Sequence, residues 1–314
     1  MTDKRILITG ALGHIGSGLI HNMVGGQFKE VRLLDNFSTQ RYSSLFNLPK
    51  GVTYDFREGD ILTADLVSLL TDIDVVIHLA AMTDAAGTLE RREELEEINH
   101  KGTKRVAEAC IRTGSCLVFP STTSVYGSQA EVVDENCPLE ELKPQSPYAE
   151  FKLISENMLT ELGKEHALRF VILRFGTIFG MSPGMRFHTA VNKFCWEAAM
   201  GQPVSVWKTA LDQKRPYLGL NDAIQSIRLV INKDIFSGEL FNVVSSNHTV
   251  REIVELITES VPDVTVKFVD SLIMNQLSYK VLAHKLGALG FKPRDNLSTA
   301  IKETVSALSG ASRK

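Results

Sequence analysis

The run from Ile6 to Gly16 constrains this 314-residue chain more than any other stretch. Ile6-Leu7-Ile8-Thr9 is short, apolar and stopped by glycine, the pattern of a parallel strand buried on both faces. Gly10-Ala11-Leu12-Gly13-His14-Ile15-Gly16 follows, and a helical pattern then runs to about Val24. Glycines here permit a tight turn and let a pyrophosphate approach the helix N-terminus, where N–H groups and dipole favour anions. A second strand, Glu30 to Leu34, ends in Asp35, 19 residues beyond Gly16. An acid about 20 residues on is the group expected to hold an adenosine ribose. A carboxylate there repels a 2′-phosphate, which favours NAD over NADP. The competing reading of Asp35 is a solvated turn aspartate before Asn36.

The alternation continues. Val52 to Phe56 reads as a strand leading to Gly59-Asp60-Ile61, Thr63 to Leu70 as a helix, and Asp74 to Leu79 as a buried strand opening on Ala80-Ala81. A long helix is predicted over Glu90 to Arg112 and a strand over Ser115 to Phe119. Pro147 to about His166 reads as helical, and Arg169 to Phe175 as another strand. Strands alternating with helices at this spacing mean an α/β fold, a doubly wound (Rossmann) parallel sheet. Ligands then sit beyond the carboxyl ends of the strands, here Gly10 onward, His78 onward and Pro120 onward. After the Gly180 to Gly184 loop, a helix over Phe187 to Met200 stops at Gly201-Gln202-Pro203, and the texture changes. Short strands follow at Val204 to Trp207, Arg215 to Leu218, Glu239 to Val243 and Val264 to Phe268. Amphipathic helices are expected at Asn221 to Ile231, Val250 to Glu259 and Leu297 to Leu308. This implies a dinucleotide-binding domain over residues 1–180, rejoined around 216–245, and a smaller C-terminal substrate lobe mainly from 181–314. The tail from Ser309 reads as disordered.

Two further stretches carry chemistry. Ser146-Pro147-Tyr148-Ala149-Glu150-Phe151-Lys152 opens a helix, with proline at the first position, where its missing N–H is harmless. Residues four apart share a helix face, so the Tyr148 hydroxyl and Lys152 ammonium can point into one site. A cation there stabilises phenolate and pulls the Tyr148 pKa down from about 10. Such a tyrosine can take a proton from an alcohol. The alternative is a surface helix with an incidental pair. The second stretch, Pro120-Ser121-Thr122-Thr123-Ser124-Val125-Tyr126-Gly127, puts a cluster of hydroxyls at a strand end. Without the Tyr–Lys pair it reads as a hydroxyl-rich turn that caps the next element.

Composition excludes several classes. At 44% hydrophobic, the chain can bury a large core. Its net charge of −3 and the absence of any basic run or stripe argue against nucleic acid. Cys110, Cys116, Cys137 and Cys195 lack the spacing of a zinc or thioredoxin-like site, so no metal is expected and buried or half-buried thiols are. No apolar stretch reaches signal-peptide length at the N-terminus or the ~18 residues of a membrane span. A soluble protein of a reducing cytoplasm, with no membrane partner, is expected.

Taken together these residues resemble the extended short-chain dehydrogenase/reductases, specifically the NAD-dependent nucleotide-sugar epimerase/dehydratase family. The match includes Gly10-x-x-Gly13-x-x-Gly16, Asp35-Asn36, Gly59-Asp60-Ile61, His78-Leu79-Ala80-Ala81 and Asn99-x-x-Gly102-Thr103. It continues through Ser121-Thr122-x-x-Val125-Tyr126-Gly127, Tyr148-x-x-x-Lys152, Arg174-Phe175-Gly176-Thr177-Ile178-Phe179-Gly180 and Arg215-Pro216-Tyr217. The resemblance implies that Gly10, Gly13, His14, Ile15 and Gly16 hold the pyrophosphate of NAD, and Asp35 with Asn36 its adenosine ribose. Asp60 and Ile61 would flank the adenine, while Leu79, Ala80, Ala81 and Asn99 line the rest of the groove. Tyr148 would be the base, Lys152 would hold the nicotinamide ribose and depress the Tyr148 pKa, and Thr122 would bridge Tyr148 and the substrate oxygen. On the substrate side it implies a nucleotide-diphosphate sugar, with Trp207 stacked on the nucleobase and Arg215 and Asn192 on the diphosphate. Thr177 stands where many relatives carry asparagine, and Arg186 and His188 are left without a role. A homodimer through the helices near residues 90–112 and 148–166 is implied as well.

Relatives that dehydrate carry an acidic pair directly after the catalytic threonine, and those that decarboxylate carry a glutamate two places after it. Here the positions are Thr123 and Ser124, whose protons are held too tightly for acid–base work near neutral pH. The implied activity is epimerisation, at sugar carbon 4, through a transient ketone. The alternatives are a sugar-nucleotide dehydrogenase or reductase, a catalytically silent NAD-binding regulator, and a reductase of steroid- or flavonoid-like alcohols.

Overall fold

A computed structural model describes residues 3–83, 91–127, 131–270 and 278–311. Through the first half the elements are β1 (Arg5–Thr9), α1 (His14–His21), β2 (Glu30–Asp35), β3 (Tyr54–Glu58), α2 (Leu66–Leu69) and β4 (Val75–His78). Then come α3 (Arg92–Leu95), a π-helical stretch Glu96–Gly102, α4 (Thr103–Thr113), β5 (Cys116–Thr122) and β6 (Val132–Val133). The second half holds α5 (Pro147–His166), β7 (Phe170–Phe175), β8 (Thr177–Phe179), α6 (Ala190–Ala199), β9 (Val204–Trp207) and β10 (Lys214–Gly219). It closes with α7 (Leu220–Asn232), β11 (Ser237–Val243), β12 (Ser246–Thr249), α8 (Val250–Ser260), β13 (Val266–Val269), β14 (Lys280–Val281), α9 (His284–Ala288) and α10 (Leu297–Leu308).

Seven parallel strands form the main sheet in the order β11-β7-β5-β4-β1-β2-β3. The order reverses between β1 and β4, so their carboxyl ends diverge and leave a crevice there. Successive residues point to opposite faces, which is why the central strands are apolar throughout. Ile6, Ile8, Val75, Ile77 and Val118 enter the core shared with α1 and α7. Leu7, Val76, Leu117 and Phe119 enter the one shared with α4 and α5. A third core, with Phe179, Phe194, Val206, Tyr217, Ile253 and Ile301, joins α6, α8 and α10 to β9 and β10.

Several sequence-based boundaries move. The first helix stops at His21, three residues short of Val24, with Asn22 as its cap. The helix expected from Thr63 begins only at Leu66, because Thr63 and Ala64 donate back to the Asp60 carbonyl and Asp65 caps the turn through Ser68 N–H. The helix after the Gly180 loop starts at Ala190 rather than Phe187. Glu90, the expected start of the long helix, lies outside the described residues, and that helix carries a π-turn at Glu96–Gly102. Ser309–Ala311 forms a 3-10 turn where disorder was expected, and 312–314 are outside the described residues. No helix among the described residues is long and apolar enough to cross a membrane.

Candidate active site

The crevice beside β1 is built around three glycines with different duties. Gly10 has φ +64° and lies so close to β4's end that a Cβ would sit 2.6 Å from Ala80 N. At Gly16 it would sit 2.5 Å from the Ala11 carbonyl oxygen. Gly13 is different: a Cβ there would meet only Gly10 O at 3.3 Å and Arg41 Nη1 at 3.9 Å. The first turn of α1 has no side-chain cap, which leaves its leading N–H groups to meet an anion. Asp35 holds the mouth of this cradle, accepting from Leu12 N–H and Phe37 N–H at 3.0 Å each. An ionised carboxylate retains lone pairs beyond those two for a ribose diol. Asn36 donates to Asp60 at 2.8 Å, and the other Asp60 oxygen accepts Leu62 N–H. Ile61 turns away from the rim, into the core under Gly102.

A single hydrogen-bond chain ties the ends of β1 and β4 to the π-turn. Ala80 N–H donates to Thr9, Thr9 pairs with His78 Nδ1 at 2.8 Å, and His78 Nε2 pairs with Thr103 at 3.1 Å. Thr103 spends its proton on the Asn99 carbonyl, so it must accept from His78, which assigns the proton to Nε2 and the Thr9 hydroxyl as donor to Nδ1. Burial, with Lys152 close by, pushes the His78 pKa down to about 3. Asn99 clamps both the N–H and the carbonyl of Met82 at 2.8 Å, so its amide fixes the loop after Leu79-Ala80-Ala81. His14 is likewise neutral, its pKa lowered to about 4 by burial, with Nε2 on the Gly180 carbonyl at 2.7 Å.

Helix α5 begins where sequence places it: Ser146 caps the Ala149 N–H and Pro147 takes the first position. Lys152 is buried, with Nζ donating to the Pro120 carbonyl at 2.8 Å and lying 4.5 Å over the Phe119 ring. Burial lowers its pKa to about 8. Tyr148 departs from expectation. Burial pushes the phenol up to about 12, and the cation that opposes this shift is Arg186 rather than Lys152. Desolvation outweighs that cation, and the Lys152 ammonium is spent on the Pro120 carbonyl. Thr122, at the end of β5, accepts Ser124 N–H at 3.1 Å and so keeps its own proton to donate.

Beside this group lies a cavity of about 290 Å³. Thr123, Ser124, Gln145 and Ser146, chain neighbours of Thr122 and Tyr148, form one wall; Thr177, Trp207 and Arg215 line it further out. Its charged or ionisable lining residues other than tyrosine are His188, Lys193 and Arg215, with no carboxylate among the described residues. Asn192 is not among the lining residues. It is fully buried, donates to the Arg186 carbonyl at 3.1 Å, and its Oδ1 has no hydrogen-bond partner among the described residues.

A model of the NAD dependent epimerase/dehydratase family matches residues 6–243. The chain belongs to that family. Membership makes it an NAD-dependent enzyme, and the open Gly13 face, the uncapped helix and the Asp35 carboxylate fit the dinucleotide. An uncharacterized UDP-glucose epimerase of Bacillus subtilis is 30% identical over 265 residues, 81% of each chain. A mouse dTDP-D-glucose 4,6-dehydratase is 27% identical over 319 residues, 96% of this chain and 88% of that protein. The UDP-glucuronic acid 4-epimerase of Bacillus cereus, solved with UDP-glucuronic acid and NAD, superposes with a TM-score of 0.87 at 25% identity, covering 98% of this chain and 99% of the other.

Sequence reasoning missed Arg41 and Tyr279 and left Arg186 without a role. Arg41 faces Gly13, and burial together with Arg186 lowers its pKa to about 10. Arg186 donates to Thr83 and reaches Tyr148, tying the loop after Gly180 to the cradle. Tyr279 lines the cavity beneath Arg215 and donates to the Thr123 carbonyl at 3.2 Å. All three lie outside the helices and strands, with no periodicity to mark them.

Proposed function

We propose that the protein is a UDP-sugar 4-epimerase that regenerates its own NAD. The observation that carries this reading is the cavity wall. Thr122 is followed by Thr123 and Ser124, and no carboxylate lines the cavity among the described residues. Elimination and decarboxylation therefore lack their acid, whereas proton transfer at a hydroxyl needs only Tyr148, Thr122 and Lys152.

In this mechanism NAD, when bound, supplies the hydride acceptor and later the donor. Gly13 and the N-terminus of α1, with Arg41, would hold its pyrophosphate and Asp35 its ribose. Arg215, with Lys193 and His188 nearby, would grip the substrate diphosphate; a planar fork of donors suits that anion. Trp207 would carry the base. Thr122 would donate to the reacting sugar oxygen, and Tyr148, made phenolate against its burial by the positive charge of bound NAD and of Lys152, would take that oxygen's proton and return it after the ketone has rotated. Lys152, kept dry, holds positive charge beside the site.

The same reading makes the protein a cytoplasmic homodimer joined through α4 and α5, where Ile154 stays 36% exposed. The primary test incubates purified protein, with no NAD added, with UDP-glucose, UDP-glucuronic acid and UDP-N-acetylglucosamine, and separates the products by chromatography. The 4-epimer of at least one is expected, with NAD near one per chain released on denaturation. Products that are ketones or dehydrated sugars, or activity that requires stoichiometric NAD, would contradict the proposal.

A further inference from the structure

The catalytic helix is tied to the sheet by a carboxylate that none of the roles above uses. Tyr148, Lys152 and Glu156 follow at four-residue intervals and share one face of α5. Three consecutive residues of β5 face them: the Pro120 carbonyl accepts from Lys152, Ser121 donates to Glu156, and Thr122 ends the strand. Glu156 in turn receives Arg174 of β7, with Nη2 at 2.6 Å from Oε2 and Nε at 3.0 Å from Oε1. Both side chains are 4% exposed. The Arg174 guanidinium lies 5.0 Å from the Tyr126 ring centroid, and the Tyr126 hydroxyl donates to Asn242 of β11 at 2.8 Å.

A buried ion pair is a weak device for stability, since apolar residues of the same volume often do as well. Its placement points to a different role. The ionisable groups that act on Lys152 are Glu156, one turn along α5, and neutral His78 from β4, while Arg174 from β7 is bound to Glu156; the β5 neighbours Phe119 and Pro120 carry no charge. Glu156 is thus the one anion acting on the ammonium among these groups. We propose that Glu156, oriented by Arg174 and Ser121, is a positioning residue for Lys152, fixing the ammonium opposite Pro120 and Thr122 and supplying its counter-charge.

The activity arm of the test rests on the epimerase reading; the titration arm does not. The double variant Glu156→Leu/Arg174→Met removes both charges together and leaves no orphaned partner. It is expected to fold and to lose kcat by about 10-fold or more while KM for the sugar nucleotide stays within about 3-fold. The alkaline limb of kcat should move about one pH unit lower, because Glu156 favours the charged amine. Carbon-13 NMR of lysine-labelled protein, with Lys152 assigned through Lys152→Arg, should show the same downward shift whether or not any sugar is turned over. Glu156→Asp, which keeps the charge, should restore the titration toward the parent. A folded double variant whose Lys152 titrates as in the parent would overturn the proposal, even if activity fell. So would one that fails to fold, which would make the pair a determinant of the fold.

Discussion

The Arg215 guanidinium lies 5.3 Å from the centroid of the Tyr279 ring, and the hydroxyl of the same tyrosine holds the Thr123 carbonyl. One side chain thus links the cation proposed to bind substrate to the turn that follows Thr122, the proposed proton donor. Its two halves separate by mutation. Tyr279→Leu removes the ring under Arg215 and should raise KM about 5- to 10-fold, within the range of a partly desolvated cation–π contact. Tyr279→Phe keeps the ring but takes away one of two donors to the Thr123 carbonyl, which still accepts Tyr126 N–H at 3.2 Å, so kcat should fall only about 2- to 3-fold with KM nearly unchanged. Steady-state kinetics on both variants distinguishes the roles.

The glycines of the first turn should fail in different ways. Gly10→Ala forces a Cβ against the Ala80 backbone at positive φ and should destabilise the protein by about 2–4 kcal/mol. Gly13→Ala meets no such obstacle. It should melt within a few degrees of the parent yet hold NAD about 10-fold or more weakly, because the methyl group enters the pyrophosphate space. Thermal melts and cofactor titration together check the pair.

Lys152 should cost stability while serving catalysis. Its pKa is lowered from 10.5 unfolded to about 8 folded, so between those values the unfolded chain binds more protons and stability rises with pH. Below about pH 8 the full burial penalty remains, about 3 kcal/mol at 1.36 kcal/mol per unit. Lys152→Met should therefore be more stable than the parent at pH 7, with the difference closing by about pH 10.5, and be inactive. Urea melts across that range, compared at equal m-values, provide the check.

Tyr148→Phe should retain NAD and lose turnover by at least ~10²-fold, the usual contribution of a positioned proton-transfer group. Near-parent turnover would remove Tyr148 from the mechanism.

The parts legible in the sequence are those whose signal is local. The β1 strand, its glycine turn and Asp35 announce themselves through apolar runs, spacing and turn chemistry, and Tyr148 and Lys152 through helical periodicity. Strands β6, β8, β12 and β14, two to four residues each, carry too little pattern to be seen. Arg41, Arg186 and Tyr279 reach the site only because the topology brings three distant turns together. Burial is also invisible locally. It is why Tyr148 is pushed up rather than down, why Ile61 faces the core, and why Asn192 is buried on the Arg186 carbonyl where a diphosphate contact was expected.

In the proposed reaction a hydride leaves sugar carbon 4 and returns to the same carbon within one active site. Proton NMR of the UDP-sugar reaction in deuterium oxide, followed to equilibrium with no added cofactor, tests it most directly. The 4-epimer should appear with its carbon-4 hydrogen fully retained and no accumulation of NADH absorbance. Deuterium at carbon 4, or NADH rising in step with product, would contradict it.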